Sequence, residues 1–94
     1  MKKYIYAAVD NLAGFIIGLE LSTDEPELFV ENKNRQNLMQ PMPFCKTTEF
    51  RLIGELDDVT LEGEMYAIKT IVGDYKESVA KLEAYANANK PQAN

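Results

Sequence analysis

Lys3-Tyr4-Ile5-Tyr6-Ala7-Ala8-Val9 runs into Asp10-Asn11-Leu12-Ala13-Gly14, and then into Phe15-Ile16-Ile17-Gly18-Leu19-Glu20-Leu21. In the first stretch Ile5, Ala7 and Val9 alternate with Tyr4 and Tyr6, the period of a strand. In the third, Phe15, Ile17, Leu19 and Leu21 alternate with Ile16, Gly18 and Glu20. Between them Asp, Asn and Gly supply the conformations of a turn. An N-terminal hairpin is the simplest reading. A second pair of strands is expected further on. Glu49–Leu56 has Phe50, Leu52 and Leu56 inward and Arg51 and Glu55 outward, and Gly54 marks a bulge or a close backbone approach. Asp57–Gly63 reads as a turn, and Glu64–Val72 as a strand apolar on both sides.

Helices are expected in two places. Thr23 or Asp24 can cap a helix that Pro26 opens and Glu25 and Glu27 favour electrostatically. Its extent is expected to be short, because Asn32-Lys33-Asn34-Arg35-Gln36-Asn37 is polar and Pro41-Met42-Pro43 is extended. Residues 32–46 therefore read as a long basic loop. Asp74 and Glu77 resemble a capping box. Tyr75, Val79, Leu82 and Ala86 then form one stripe of an amphipathic helix that frays near Asn87–Asn89. The fold class is α+β: a four-stranded, mostly antiparallel sheet from two hairpins, a short connecting helix and a C-terminal helix. Residues 1–89 form one domain, and 90–94 a flexible tail.

The chain has 94 residues, 46% hydrophobic and 27% charged, with a net charge of −5. That length allows one domain, which buries only roughly 60–65% of its unfolded surface, so oligomerisation would help it. With no histidine, neither a Ser-His-Asp triad nor a Cys-His dyad exists within the chain. The single cysteine, Cys45, has no intramolecular disulfide partner and no histidine to activate it, and reads as a small apolar filler. No apolar stretch approaches the length of a membrane span, and Asp10 interrupts any signal-like segment. Neither an enzyme, nor a metal, nor a cofactor is expected.

Charge is segregated. Glu20, Asp24, Glu25, Glu27 and Glu31 form one acidic block, and residues 49–64 a second. Between them 32–46 carries Lys33, Arg35 and Lys46 and no acid. Single-stranded nucleic acid is held by a positive groove with exposed rings on which bases stack. Lys2, Lys3, Tyr4, Tyr6, Lys33, Arg35, Lys46 and Arg51 are the residues that would build one. The opposing expectation is that Tyr4, Tyr6 and Tyr66 lie beneath the C-terminal helix, because a two-layer domain must cover one face of its sheet. Glu55, Asp57, Asp58, Glu62 and Glu64 lack the spacing of a calcium loop. They read as a solvated hairpin tip or, in a second functional reading, as an acidic surface that mimics nucleic acid toward a host or phage protein.

Two stretches, Ile5-Tyr6-Ala7-Ala8-Val9-Asp10-Asn11-Leu12-Ala13-Gly14-Phe15 and Phe50-Arg51-Leu52-Ile53-Gly54-Glu55-Leu56-Asp57-Asp58-Val59-Thr60, resemble the small nonstructural protein of gokushovirus-type microviruses. That family has an Asp-x-x-Ala-type turn after its first strand and an Ile-Gly-Glu-(aromatic)-Asp-Asp-x-Thr turn later. Here Leu56 replaces the aromatic, Gly63 is displaced, and the helix from Asp74 to Asn89 looks like an extension. The resemblance implies a non-enzymatic phage accessory protein in the cytoplasm of a bacterial host, binding single-stranded DNA during genome replication or packaging. The thin core makes a homodimer the expected state.

Overall fold

The computed structural model describes residues 1–89; the tail expected over 90–94 lies outside them. The elements run β1 (Lys2–Asp10), β2 (Phe15–Ser22), α1 (Pro26–Met39), β3 (Thr48–Asp57), β4 (Gly63–Asp74) and α2 (Lys76–Ala88). The four strands make one antiparallel sheet in the order β2-β1-β3-β4, so the fold is α+β as the hydrophobic patterning indicates. The two hairpins meet along β1 and β3. One helix joins them and another follows.

Both hairpin turns are built by an aspartate that folds back on its own backbone. Asp10 Oδ1 accepts from the Leu12 and Ala13 N–H groups at 3.0 and 3.4 Å. Asp57 Oδ1 accepts from Val59 and Thr60 at 2.9 and 3.0 Å. Between the turns, two-residue alternation sets the faces, and bulges reset it. Tyr4, Tyr6 and Ala8 pair with Ser22, Glu20 and Gly18, and on the other side with Glu55, Leu52 and Phe50. These side chains share one face. Ile5, Ala7 and Val9 share the other with Leu21, Leu19 and Ile16, and with Gly54, Arg51 and Glu49.

The bulges overturn two expectations of facing. Register slips between Ala8 and Val9 against β2, so Ile16 rather than Ile17 joins Leu19 and Leu21. Register slips again between Leu52 and Gly54, so Glu55 lies with Leu52 and Leu56 lies opposite. Gly54 is required at that slip: a Cβ there would stand 2.6 Å from the Glu64 carbonyl oxygen and 3.0 Å from Met65 Sδ.

α1 covers the tyrosine face. Tyr6 stacks on Phe29 at 3.8 Å between centroids and 10° between planes. Phe29 meets Phe50 edge-on at 5.5 Å, and Phe50 meets Tyr75 at 4.9 Å. This chain of four rings is the core, with Val30, Leu52, Val72, Val79 and Cys45 packed around it. Gly73 lets the helix come close, since a Cβ there would lie 2.6 Å from a Val30 methyl.

The expected loop over 32–46 is a helix as far as Met39. Its asparagines pack inward. Asn34 Nδ2 donates to the carbonyls of Val30 and Asp74, and its Oδ1 accepts from Ser78 N–H at 2.9 Å. Asn37 Nδ2 donates to Ser78 Oγ at 2.9 Å, and its Oδ1 accepts from Met42 N–H at 2.8 Å. These bonds outweigh the low helix propensity of asparagine. They also dock α2 at its first turn against α1, so α2 does not roof the sheet. Its start lacks the expected capping box: the N-cap is Tyr75, and Asp74 Oδ1 accepts only from Lys76 N–H.

The molecule measures 63 × 26 × 16 Å, with a radius of gyration of 16.0 Å. A compact chain of this length would have about 12 Å. No helix or loop among the described residues covers the face carrying Ile5, Leu19, Leu21 and Ile71.

Candidate functional site

The eight residues nominated for a polynucleotide groove do not converge. Lys2 pairs with Glu55, and Lys3 with Asp58, at one end of the sheet. Lys33 pairs with Glu20 across α1 and β2, and Arg35 with Glu31 one helical turn away. Lys46 meets Glu83 of α2 at 2.7 Å. Arg51 meets Glu49 at 2.7 Å on the uncovered face. Every one of the six cations thus has a carboxylate partner, and they are spread over both faces and both ends. The gain from releasing counterions to phosphate is small where each cation must first leave an acid.

The tyrosines are occupied as well. Tyr6 is 1% exposed, with its ring beneath Phe29 and its hydroxyl donating to the Asp24 carbonyl at 2.7 Å. It offers no platform to a base. The expectation that Tyr6 stacks on nucleic acid is therefore corrected, and so is the idea that the C-terminal helix would be its cover. Tyr4 is half-buried, with Lys2 Nζ 5.1 Å from its ring centroid and its hydroxyl donating to Glu25 Oε1 at 3.0 Å. Phe44 is exposed in the middle of the 40–47 segment, in the left-handed region at φ 64°.

Burial pushes the Tyr6 phenol up to about 12, with Glu25 adding to it. The fold favours the neutral phenol, so its contribution to stability is full below the ordinary value of 10.0 and is lost as pH rises through about 12. Absorbance at 295 nm should show Tyr6 ionising together with unfolding seen by circular dichroism. Ionisation of Tyr6 in a still-folded protein near the ordinary value would contradict its enclosure.

The acids of the second hairpin are also committed. The N–H groups of Thr60 and Val59 hold the Asp57 carboxyl below its ordinary range. The N-terminal ammonium does the same for Asp58, and Lys2 for Glu55. Glu62 and Glu64 lie exposed beside them. Among the described residues no three acids or cysteines gather as a metal site would need. Also among them, no helix is long and apolar enough to cross a membrane.

Two of the hollows among the described residues lie beside the helices. The larger, about 600 Å³, lies between Cys45, Val79, Lys76 and Glu83 and the first hairpin turn at Asn11. Cys45 is half-buried there against the aromatic core. The smaller, about 350 Å³, opens between β2 and α1.

No family model, no curated protein and no solved structure matches this chain.

Pattern reading put the open face on the tyrosine side, and the structure puts it on the other. Leu19 is 64% exposed, Ile16, Met65 and Ile71 are each 57%, and Leu21 is 48%. Their register partners Ile5, Ala7, Val9, Gly54 and Arg51 place them on one surface. The signal was present in the sequence: both sides of β2 and β4 are apolar, while the chain supplies helices for only one side.

Proposed function

We propose that this protein is a non-enzymatic interaction module that works as a homodimer through the uncovered face of its sheet. The exposed apolar surface formed by Ile16, Leu19, Leu21, Met65 and Ile71 carries this reading. Those five side chains present on the order of 500 Å², at the top of the ~300–600 Å² range for a monomer's largest patch. A standard interface takes about 800 Å² per partner, and Ile5, Val9, Leu56 and the stem of Arg51 extend the face toward that. A second copy suits it because the surface is apolar and electrically balanced. Its cations are paired, Arg51 with Glu49 and Lys3, the register partner of Leu56, with Asp58, and a twofold axis lets each Arg51 address Glu49 of the partner subunit. Two sheets packed in this way give a four-layer α-β-β-α particle with a proper core.

The acidic-surface reading of Glu55, Asp57, Asp58, Glu62 and Glu64 draws less support, because three of them already serve the turn and the N-terminus. The two motifs of the microvirus resemblance are the two aspartate-built turns, so they act in folding the hairpins. The single-stranded DNA role that the resemblance implies would need cations that are here neutralised.

Light scattering tests the proposal. The native chain should have twice its 10.6 kDa mass, and added salt should strengthen the dimer by screening two acidic copies. Ile71→Glu or Leu21→Glu should give a folded monomer, and Leu12→Glu, in the exposed turn, should stay dimeric. A native monomer at high concentration would reject the dimer. A labelled single-stranded oligonucleotide should not be retained at low salt. Binding that weakens with salt and is lost on Lys46→Glu or Arg51→Glu would favour the polynucleotide reading instead.

A further inference from the structure

The sheet ends in two edge strands, β2 and β4, and they meet solvent differently. An edge presents unpaired backbone N–H and C=O groups, which proteins block with bulges, lysine or proline. β4 is blocked. Its pairing with β3 steps from Leu52–Thr70 to Gly54–Met65, so Tyr66-Ala67-Ile68-Lys69 stands opposite Ile53 alone. These residues arch out of the ladder, with Lys69 donating to the Tyr66 carbonyl and Ile68 79% exposed.

β2 has no such block. Phe15–Leu21 is exposed throughout and contains no lysine, arginine or proline. Its one charge, Glu20, is neutralised by Lys33. The slip against β1 lies at the turn end, and Gly18–Ser22 runs in regular register with Ala8–Tyr4. Among the described residues no segment pairs with the outer side of β2. A short apolar strand with little charge and a free edge is built to take another strand.

We propose that β2 pairs antiparallel with β2 of a second copy about a twofold axis at Leu19, so that two four-stranded sheets join edge to edge. A strand already held by β1 loses less chain entropy on pairing than a free peptide does. α1 leaves the edge open, since it rests on Tyr6 of β1, one strand inboard. Charge selects the register. An axis at Glu20 would set two carboxylates directly opposite each other, which is unfavourable. An axis at Leu19 sets Glu20 opposite Gly18 of the partner subunit, where even an added Cβ would meet nothing within 4 Å. It also makes the exposed Ile16, Leu19 and Leu21 of the two chains one continuous apolar surface. Because β4 is blocked, addition closes at two chains and does not run on as a fibre. The edge is a smaller contact than the uncovered face, so where both form it joins two face-paired dimers only as concentration rises.

Gly18 and Glu20 lie on the helix-bearing side of β2, which face-to-face packing keeps apart, and this supplies the test. Chains carrying Gly18→Cys are mixed with chains carrying Glu20→Cys and oxidised, all with Cys45→Ser and with Ile71→Glu to remove the face dimer. Mass spectrometry should find a disulfide joining one kind of chain to the other. Either kind alone should cross-link far less, because its cysteines sit diagonally, at about 7–8 Å, beyond easy disulfide reach. Circular dichroism checks that the variants fold. In the unsubstituted chain, alternate amides of β2 should exchange more slowly as concentration rises, while those of residues 66–69 should not change. Absence of the mixed disulfide in folded chains would overturn the proposal. So would Glu20→Cys chains cross-linking among themselves as readily, or β2 amides that exchange at the same rate at every concentration. Failure of the face dimer leaves these readouts intact, because Ile71→Glu has already removed it.

Discussion

Phe50→Ala should cost about 3–5 kcal/mol, the usual range for emptying a buried aromatic position. Phe50 is 2% exposed and touches both Phe29 and Tyr75 edge-on, so it joins the α1 half of the core to the α2 half. Its removal leaves no neighbour able to fill the gap, since the fully buried side chains around it are few. A domain of this size loses roughly 4–8 °C of melting temperature per kcal/mol, so the variant should melt about 12–40 °C lower. Phe50→Leu keeps most of the volume and should lose much less. Thermal denaturation by circular dichroism measures both. A loss within a few degrees for Phe50→Ala would mean that the four rings are not the core.

Asn34→Leu should undock α2. The side-chain amide of Asn34 makes three bonds, to Val30 and Asp74 carbonyls and to Ser78 N–H, and leucine makes none. The Asp74 carbonyl and the Ser78 N–H would then be left without partners, at about 1–3 kcal/mol for each group that stays buried. The cheaper response is for the first turn of α2 to leave α1 and take water. Hydrogen exchange should therefore quicken across Lys76–Ala88 while the amides of β1 and β3 keep their protection. Equal loss across helix and sheet would show that α2 is part of one cooperative unit with the strands. Unchanged exchange in α2 would show that its docking does not depend on this amide.

These two residues also show what pattern reading can and cannot see. Phe50 was legible as an inward residue because it sits in a strand with an apolar alternation. Asn34 was not. Its segment has low helix propensity and no apolar period, and its burial is decided by Ser78, 44 positions away. The hint was a face made of Val30, Asn34 and Asn37 at helical spacing, with polar groups where carbon is usual. Facing within strands failed for a similar reason. Gly54 announced an irregularity, but not that Glu55 and Leu56 would exchange sides across it.

The nominated site fared worse than the fold. Tyr4 and Tyr6 were correctly placed opposite Ile5 and Val9, yet the face chosen as open was the one α1 covers. Period-two patterning divides a strand into two sides without saying which side receives the helix. The cations looked available because sequence order separates Lys46 from Glu83 and Lys2 from Glu55, pairs that only the folded chain brings together. The first error comes from the covering of one side of the sheet, which local sequence does not choose, and the second from contacts between residues distant in sequence.

Dilution of a methyl-labelled sample, followed by nuclear magnetic resonance, tests the two-sided sheet most directly. The account predicts that lowering concentration moves the methyl signals of Ile16, Leu21 and Ile71 and leaves those of Val30 and Val79, on the α1 side, in place. Signals of Ile16, Leu21 and Ile71 that stay fixed at every concentration, or movement confined to Val30 and Val79, would contradict it.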